Sequence, residues 1–384
     1  MTIVCTCFVV TGLSFLILGC RKEDVAVSVP EENVLDRTSP NLPNNPYNYA
    51  NLPLPAYLNA PPINGQNNTP GNNAITNHGA TLGRVLFYDK NLSANNTIAC
   101  ASCHRQANSF SDPNQFSVGF NGGLTSRNSM SLLNARYYPN GHFFWDERAV
   151  TLEKQTTMPI VNPVEMGMTI AALVSKVNSL SYYPQLFQNA FGNPTVDSAR
   201  ISRALSQFVR SMVSYRTKYD IGRAALPPNG NPAVTNFSNY STQENQGKQL
   251  FFGVGRCANC HGTETFSSPG PKNNGLDLVY ADNGIGAITG NPAQNGAFKA
   301  PSLRGIEKSA PYMHDGRFAS LEQVVEHYNS LVQPHPNLSP ELRNPNGTPR
   351  RLNLTTAQKA ALVAFLKTLT DTGIAGDVKY SNPF

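Results

Sequence analysis

Apolar residues fall at helical spacing toward the end of each half of this 384-residue chain. Ile201, Leu205, Phe208 and Met212 recur every three or four positions and form one stripe along a helix, and Asp197 precedes them where a carboxylate can accept the free backbone N–H groups of a first turn. A second stripe runs through Ala360, Leu362, Val363, Phe365, Leu366 and Leu369, with Thr355 or Thr356 as its N-cap. Two earlier segments repeat one another weakly. Leu82-Gly83-Arg84-Val85-Leu86-Phe87 and Gln246-Gly247-Lys248-Gln249-Leu250-Phe251 each read as the end of a short helix. Strand-type alternation is sparse. The pattern predicts a mainly α chain of two units, each opened by a short helix, carried through a long irregular excursion and closed by another helix. The joint falls near Pro227-Pro228-Asn229-Gly230-Asn231-Pro232, which gives domains at 78–232 and 233–384. Such long loops exceed what a compact domain usually carries, so something besides side chains must order them.

The N-terminal stretch has a different texture. Phe8 to Cys20 is an apolar run too short to span a bilayer comfortably, and it suits the central region of a signal peptide. It ends in Ile17-Leu18-Gly19-Cys20, which resembles a bacterial lipobox with Cys20 as the acylated residue. No Lys or Arg precedes the run, so the positive start of a signal is missing, and a buried N-terminal helix is the alternative. Residues 1–20 are thus expected to be a signal or lipoprotein segment. Residues 21–77, punctuated by Pro and Asn, are expected to be a tether that ends as a strap over the body. The implied location is the periplasm or cell envelope, with a lipid anchor that tethers without spanning. The body has ordinary hydrophobic content, and its net charge of +6 comes from basic residues that do not cluster, which argues against nucleic acid as a partner.

The chemistry lies in a pentapeptide that occurs twice, as Cys100-Ala-Ser-Cys103-His104 and Cys257-Ala-Asn-Cys260-His261. Cys-x-x-Cys-His is the attachment site of a c-type haem: two thiols bind the porphyrin covalently and the adjoining His gives the iron an axial nitrogen. A zinc ribbon is the competing reading of two Cys-x-x-Cys pairs, but its pairs lie about 15–20 residues apart and need no His after each. These four cysteines leave only Cys5, Cys7 and Cys20, so the body has no disulfide framework. A short helix, a haem loop, an excursion and a closing helix describe a cytochrome c-like domain, here present twice with the haem serving as core.

Several motifs in order make the chain from about residue 76 to 372 resemble the bacterial di-haem cytochrome c peroxidase family, which includes the MauG-type enzymes. They are Leu82-Gly83-Arg84-x-Leu86-Phe87-Tyr88-Asp89, the first haem site, Phe144-Trp145-Asp146-x-Arg148-Ala149, Pro159-Ile160-x-Asn162-Pro163-Val164-Glu165-Met166, the second haem site, and Ala310-Pro311-Tyr312-Met313-His314-Asp315-Gly316. The resemblance implies that the N-terminal haem, with His104 as proximal ligand, is the peroxide site, and that the C-terminal haem, with His261, receives electrons. Many members carry a second His sixteen residues after the first; that position is Phe120 here, which implies a haem open on its far side unless His142 swings in. Glu165 matches the acid–base carboxylate, Gln155 a nearby amide that can hydrogen-bond peroxide, and Trp145 an indole between the haems. Glu147 stands where members usually have Gly. The far ligand of the second haem matches Tyr328, with Met313 or His327 as alternatives; a phenolate there would lower the potential relative to Met. A calcium ion held between the haems would take the Asn128 side chain and the carbonyls of Ser309 and Pro311.

The resulting expectation is a di-haem peroxidase that reduces hydrogen peroxide to water with electrons from a small cytochrome c or cupredoxin. Two other readings stay open: a MauG-like enzyme that oxidises residues of a partner protein or an organic substrate, and a plain di-haem electron carrier. A homodimer fits the family, though no interface signature stands out in the sequence.

Overall fold

The computed structural model describes residues 39–227 and 230–384. The expected signal segment 1–20, with Cys20, and the first part of the 21–77 stretch lie outside them. The helices, in chain order, are α1 (Asn77–Tyr88), α2 (Cys100–Cys103), α3 (Leu152–Val161), α4 (Ile170–Ser179), α5 (Tyr183–Phe191), α6 (Ser198–Ser211), α7 (Lys218–Ala224), α8 (Thr242–Phe252), α9 (Ile285–Thr289), α10 (Leu321–Glu326) and α11 (Thr356–Lys367). Among the described residues there is no strand, only isolated bridges such as Phe143 with Ala149 and Tyr312 with Phe318. The chain is mainly α, with two cytochrome c-like domains. No helix among the described residues is long and apolar enough to cross a membrane.

The caps follow local chemistry. The Asp197 carboxylate accepts the Arg200 N–H at 2.8 Å to start α6. Thr355, not Thr356, starts α11, and Gln358 returns a bond to the Thr355 N–H at 2.9 Å.

The weak repeat in the sequence is a repeated helix crossing. α1 packs on α6 and α8 packs on α11. A Cβ at Gly83 would lie 2.0 Å from the Ala204 carbonyl oxygen, and one at Gly247 would lie 1.9 Å from that of Ala361. Only glycine lets the two backbones approach this closely. One helical turn on, Phe87 meets Phe208 and Phe110, while Phe251 meets Phe365 and Phe266, all edge-on or tilted with centroids 5.1–6.2 Å apart. These rings sit in two separate apolar cores, one per haem-binding half.

Residues 39–76 run over this body. Tyr49 is fully buried in the first core, and Leu58 and Ile63 form a smaller cluster with Tyr137, Val213 and Tyr215. The Tyr57 hydroxyl donates to Asp220 at 2.5 Å. Asp220 in turn makes two 2.9 Å bonds to the fully buried Arg304. That guanidinium also donates to the Glu264 carbonyl, which fixes the loop just after the second haem motif.

Two candidate haem cavities

Each Cys-x-x-Cys-His segment is a single tight turn that follows the first helix of its half, α1 or α8, across a connecting loop. α2 carries Cys100 and Cys103 with His104 at its C-cap, and a 3-10 turn carries Cys257. No disulfide joins these four cysteines, and burial pushes their thiols up, Cys100 and Cys257 to about 12 and Cys103 and Cys260 to about 11. The two imidazoles are held alike. His104 Nδ1 lies 3.0 Å from the Phe110 carbonyl and His261 Nδ1 lies 3.2 Å from that of Phe266. Both phenylalanines have positive φ, 57° and 53°, in the turn that brings the carbonyl back to the ring. An Nδ1–H that donates to a carbonyl leaves Nε2 as the free nitrogen for a metal. Burial lowers both imidazoles, His261 to about 4, so each ring is neutral as ligation requires. Paired thiols, a neutral imidazole and an apolar cavity on each motif fit a covalently bound haem.

The first cavity, about 290 Å³, is bordered by His104, Gln155 and Glu165, and a side recess reaches Cys100 and Cys103. Gln155 faces it from α3. Glu165 is presented by an Asx turn in which the Asn162 side chain accepts the N–H groups of Val164 at 2.8 Å and Glu165 at 3.2 Å. Burial raises the Glu165 carboxyl above its ordinary value and Arg148 pulls it partly back. Its carboxylate has no hydrogen-bond or ion-pair partner among the described residues. Phe120 does not border the cavity: its N–H donates to the Glu165 carbonyl at 2.9 Å, and its ring lies against Gly167, where a Cβ would be 2.4 Å from it. His142 is also elsewhere, half-exposed, with Nδ1 3.9 Å from Glu147. His104 is the only His bordering this cavity among the described residues.

The second cavity, about 220 Å³, is bordered by Cys257, Cys260, His261, Met313 and Tyr328. Tyr328 sits on a π-helical turn (His327–Leu331) that continues α10, a distortion often found at functional sites. That turn decides between neighbours: Tyr328 faces the cavity, whereas His327 Nε2 is engaged by the Asn274 carbonyl at 3.0 Å. Burial first, and then the Cys260 thiol, raise the Tyr328 phenol, while the Asn274 side chain opposes them. Met313 also borders the cavity, and its sulfur accepts from Asn274 Nδ2 at 3.5 Å. Asn128, Ser309 and Pro311 border the same space.

Trp145 borders both cavities, so it stands in the wall between them. Its Nε1–H donates to the Asn128 carbonyl at 2.8 Å, and the Asn128 N–H donates to the His314 carbonyl at 2.8 Å. The wall contains residues that the sequence reading passed over. Arg127 grips Asp282 through two bonds of 2.7 and 2.8 Å and also binds Asp146. Phe298 stacks on His314 at 3.7 Å, and Lys299 borders both cavities. One signal was available. Phe143-Phe144-Trp145-Asp146-Glu147-Arg148-Ala149 and Tyr312-Met313-His314-Asp315-Gly316-Arg317-Phe318 are matching loops: each is closed by a bridge between its ends, has positive φ at its second and fifth residues, and pairs its Asp with its Arg.

Comparison with known proteins agrees with this architecture. The sequence model of the di-haem cytochrome c peroxidase family matches residues 77–224, and that of cytochrome c matches residues 245–370. The methylamine utilization protein MauG of Methylorubrum extorquens is 34% identical over 305 residues, 78% of this chain and 80% of that protein. The cytochrome c551 peroxidase of Nitrosomonas europaea is 33% identical over 295 residues, 76% of this chain and 79% of that protein. Among solved structures, a MauG-like protein associated with microbial copper homeostasis superposes with a TM-score of 0.74 at 31% identity, covering 87% of this chain and 99% of that one.

Proposed function

The chain belongs to the di-haem cytochrome c peroxidase family, which includes MauG, and from that premise we propose that it reduces hydrogen peroxide to water at the His104 cavity with electrons from a small periplasmic redox protein. Such an enzyme carries two c-type haems. Cys100, Cys103 and His104 would hold one haem and Cys257, Cys260 and His261 the other, and the bound groups would supply the redox chemistry. The observation that carries the reading is Glu165, a partly buried carboxylate with no partner among the described residues, on the cavity whose only bordering His among them is His104. Reduction of peroxide to two waters consumes two electrons and two protons. Glu165 takes a proton from one peroxide oxygen and returns it to the other, and its raised proton affinity suits both steps. Gln155 orients the peroxide by hydrogen bonding. Phe120, turned onto Gly167, leaves the cavity free of a competing side-chain ligand. Trp145 supplies an aromatic link between the two cavities.

On the same reading His104 would hold the first haem iron, and His261 and Tyr328 the second, Tyr328 as a phenolate. It also places a calcium ion beside Asn128 and the carbonyls of Ser309 and Pro311. Asn128 Nδ2 donates to the carbonyls of Asn114 and Gln115, which leaves Oδ1 available, and neutral oxygens suit a hard cation.

Steady-state consumption of peroxide by the di-haem protein with a reduced c-type cytochrome tests the reading. Turnover supports it. Two six-coordinate, low-spin haems that ignore peroxide would make the protein an electron carrier instead. Phe120 and Tyr328 favour a second reading, MauG-like oxidation of a partner protein, and relatives bearing both names are similar at nearly equal identity. Recovery of a covalently altered partner after peroxide treatment would select it.

A further inference from the structure

We propose that Tyr138 is a redox-active side chain that takes up an oxidising equivalent from the first cavity, with Glu147 as the base that accepts and returns its phenolic proton. The inference rests on the peroxide reading above and adds a residue pair to it.

Tyr138 borders the first cavity and is 3% exposed. Its hydroxyl donates to Glu147 Oε1, and Glu147 is itself buried at 4% exposure. The other carboxylate oxygen receives the Asn140 amide. Glu147 holds this place against the preference of its backbone. Its φ is 55°, and the matching position of the second loop is Gly316 with φ 64°. A side chain kept where glycine is the easier residue marks a position at which the carboxylate matters.

An oxidised phenol is too acidic to keep its proton and releases it to an acceptor within hydrogen-bond reach. Glu147 is the acceptor that the hydroxyl touches. The step balances as follows: Tyr138 loses one electron to the peroxide-oxidised centre, its proton crosses to Glu147, and a neutral tyrosyl radical faces a neutral carboxyl. An external electron donor reverses both transfers. The Lys299 side-chain nitrogen lies 3.7 Å over the Tyr138 ring, and burial pushes this amine down to about 7; in its protonated form its charge disfavours removing an electron from the ring. If the cluster served only to neutralise Lys299, it would yield no tyrosine-centred radical.

The test is freeze-quench electron paramagnetic resonance of the di-haem protein mixed with one equivalent of hydrogen peroxide and no reductant. The expected result is an organic radical signal that narrows when the protein carries ring-deuterated tyrosine. It is lost in Tyr138→Phe, and also in Glu147→Gln and in Glu147→Gly, which copies the second loop. A signal that does not narrow in the labelled wild type, or that survives in Tyr138→Phe, overturns the proposal; the labelled arm needs no variant to fold. Survival in both Glu147 variants overturns Glu147 as the base. Haem optical spectra of the same samples separate the two readings. No response to peroxide sinks the peroxidase reading and this inference with it, whereas a response without a tyrosine radical sinks this inference alone.

Discussion

Replacing Glu165 by Gln separates the chemistry of the first cavity from its architecture. The loop is held by the backbone of this residue: its N–H donates to Asn162 and its carbonyl accepts from Phe120. Its carboxylate holds nothing, so an amide of the same shape breaks no structural bond, and stability should change by less than about 0.5 kcal/mol. The sign is also set. Burial raises the Glu165 carboxyl in the fold, with Arg148 opposing, so the folded state binds this proton more tightly than the unfolded chain. That contribution is fully present below the unfolded pKa and is lost as pH rises through the folded one. Gln has no such loss, which makes the variant equal to wild type or slightly more stable at neutral pH. Activity should move the other way. A positioned acid–base group contributes about 10²–10⁴ in rate, or about 3–5 kcal/mol of barrier. Stopped-flow optical traces of the di-haem protein against peroxide concentration give the rate, and denaturant melts give the stability. The wild-type rate should fall on the acid side through an apparent pKa above the ordinary carboxylate value, and this limb should vanish in the variant. A variant within about threefold of the wild-type rate would refute the acid–base role, because the smallest effect expected of such a group is about 10².

Ala at Gly83 or Gly247 should destabilise the protein by about 1–3 kcal/mol or more through overpacking, seen as a lower Tm, because its Cβ meets a backbone carbonyl that cannot swing aside. Ala at Gly71 or Gly376, where nothing lies within 4 Å, should leave Tm unchanged. Arg304→Met strands the buried Asp220 carboxylate and should cost about 3–5 kcal/mol in a denaturant melt. In wild type, burial pushes the Asp220 carboxyl up, but Arg304 more than offsets it and the net shift is downward. The contribution of that pair is therefore present above the unfolded Asp pKa and fades as pH falls through the folded one, so the variant's deficit should shrink in acid. Tyr328→Phe should abolish a phenolate-type charge-transfer band; an unchanged spectrum would move the ligand assignment to Met313.

What the sequence disclosed was local. A cap reaches three residues, a haem motif spans five, and a helical stripe repeats within one or two turns, so Asp197 and both Cys-x-x-Cys-His sites could be recognised without a fold, and the cap of α11 could be narrowed to Thr355 or Thr356. What stayed hidden depended on distant segments meeting. Arg127 and Asp282 are 155 positions apart, and nothing near either names the other. The choice between His327 and Tyr328 turns on one π turn, which no propensity at those residues announces. Phe120 was legible as a non-ligand from its chemistry, but its seat on Gly167 needed the loop that carries Glu165 to be folded beside it. Glu147 stood out as an oddity in the sequence, and only burial and the matching loop gave the oddity a physical meaning.

The matching loops also show how one backbone solution serves two cavities unequally. In both, an Asp–Arg pair and two residues at positive φ build the same tight shape. The third position then differs: Trp145 in one, His314 in the other, and both border the second cavity. Asn128 ties them together through its main chain, accepting from the indole and donating to the His314 carbonyl. Of its side chain, Nδ2 donates to the Asn114 and Gln115 carbonyls, and Oδ1 alone has no partner among the described residues. The residue that holds the indole therefore also borders the second cavity. One residue can join the two loops because its backbone carries both a donor and an acceptor, and Asn128 uses the acceptor for one loop and the donor for the other.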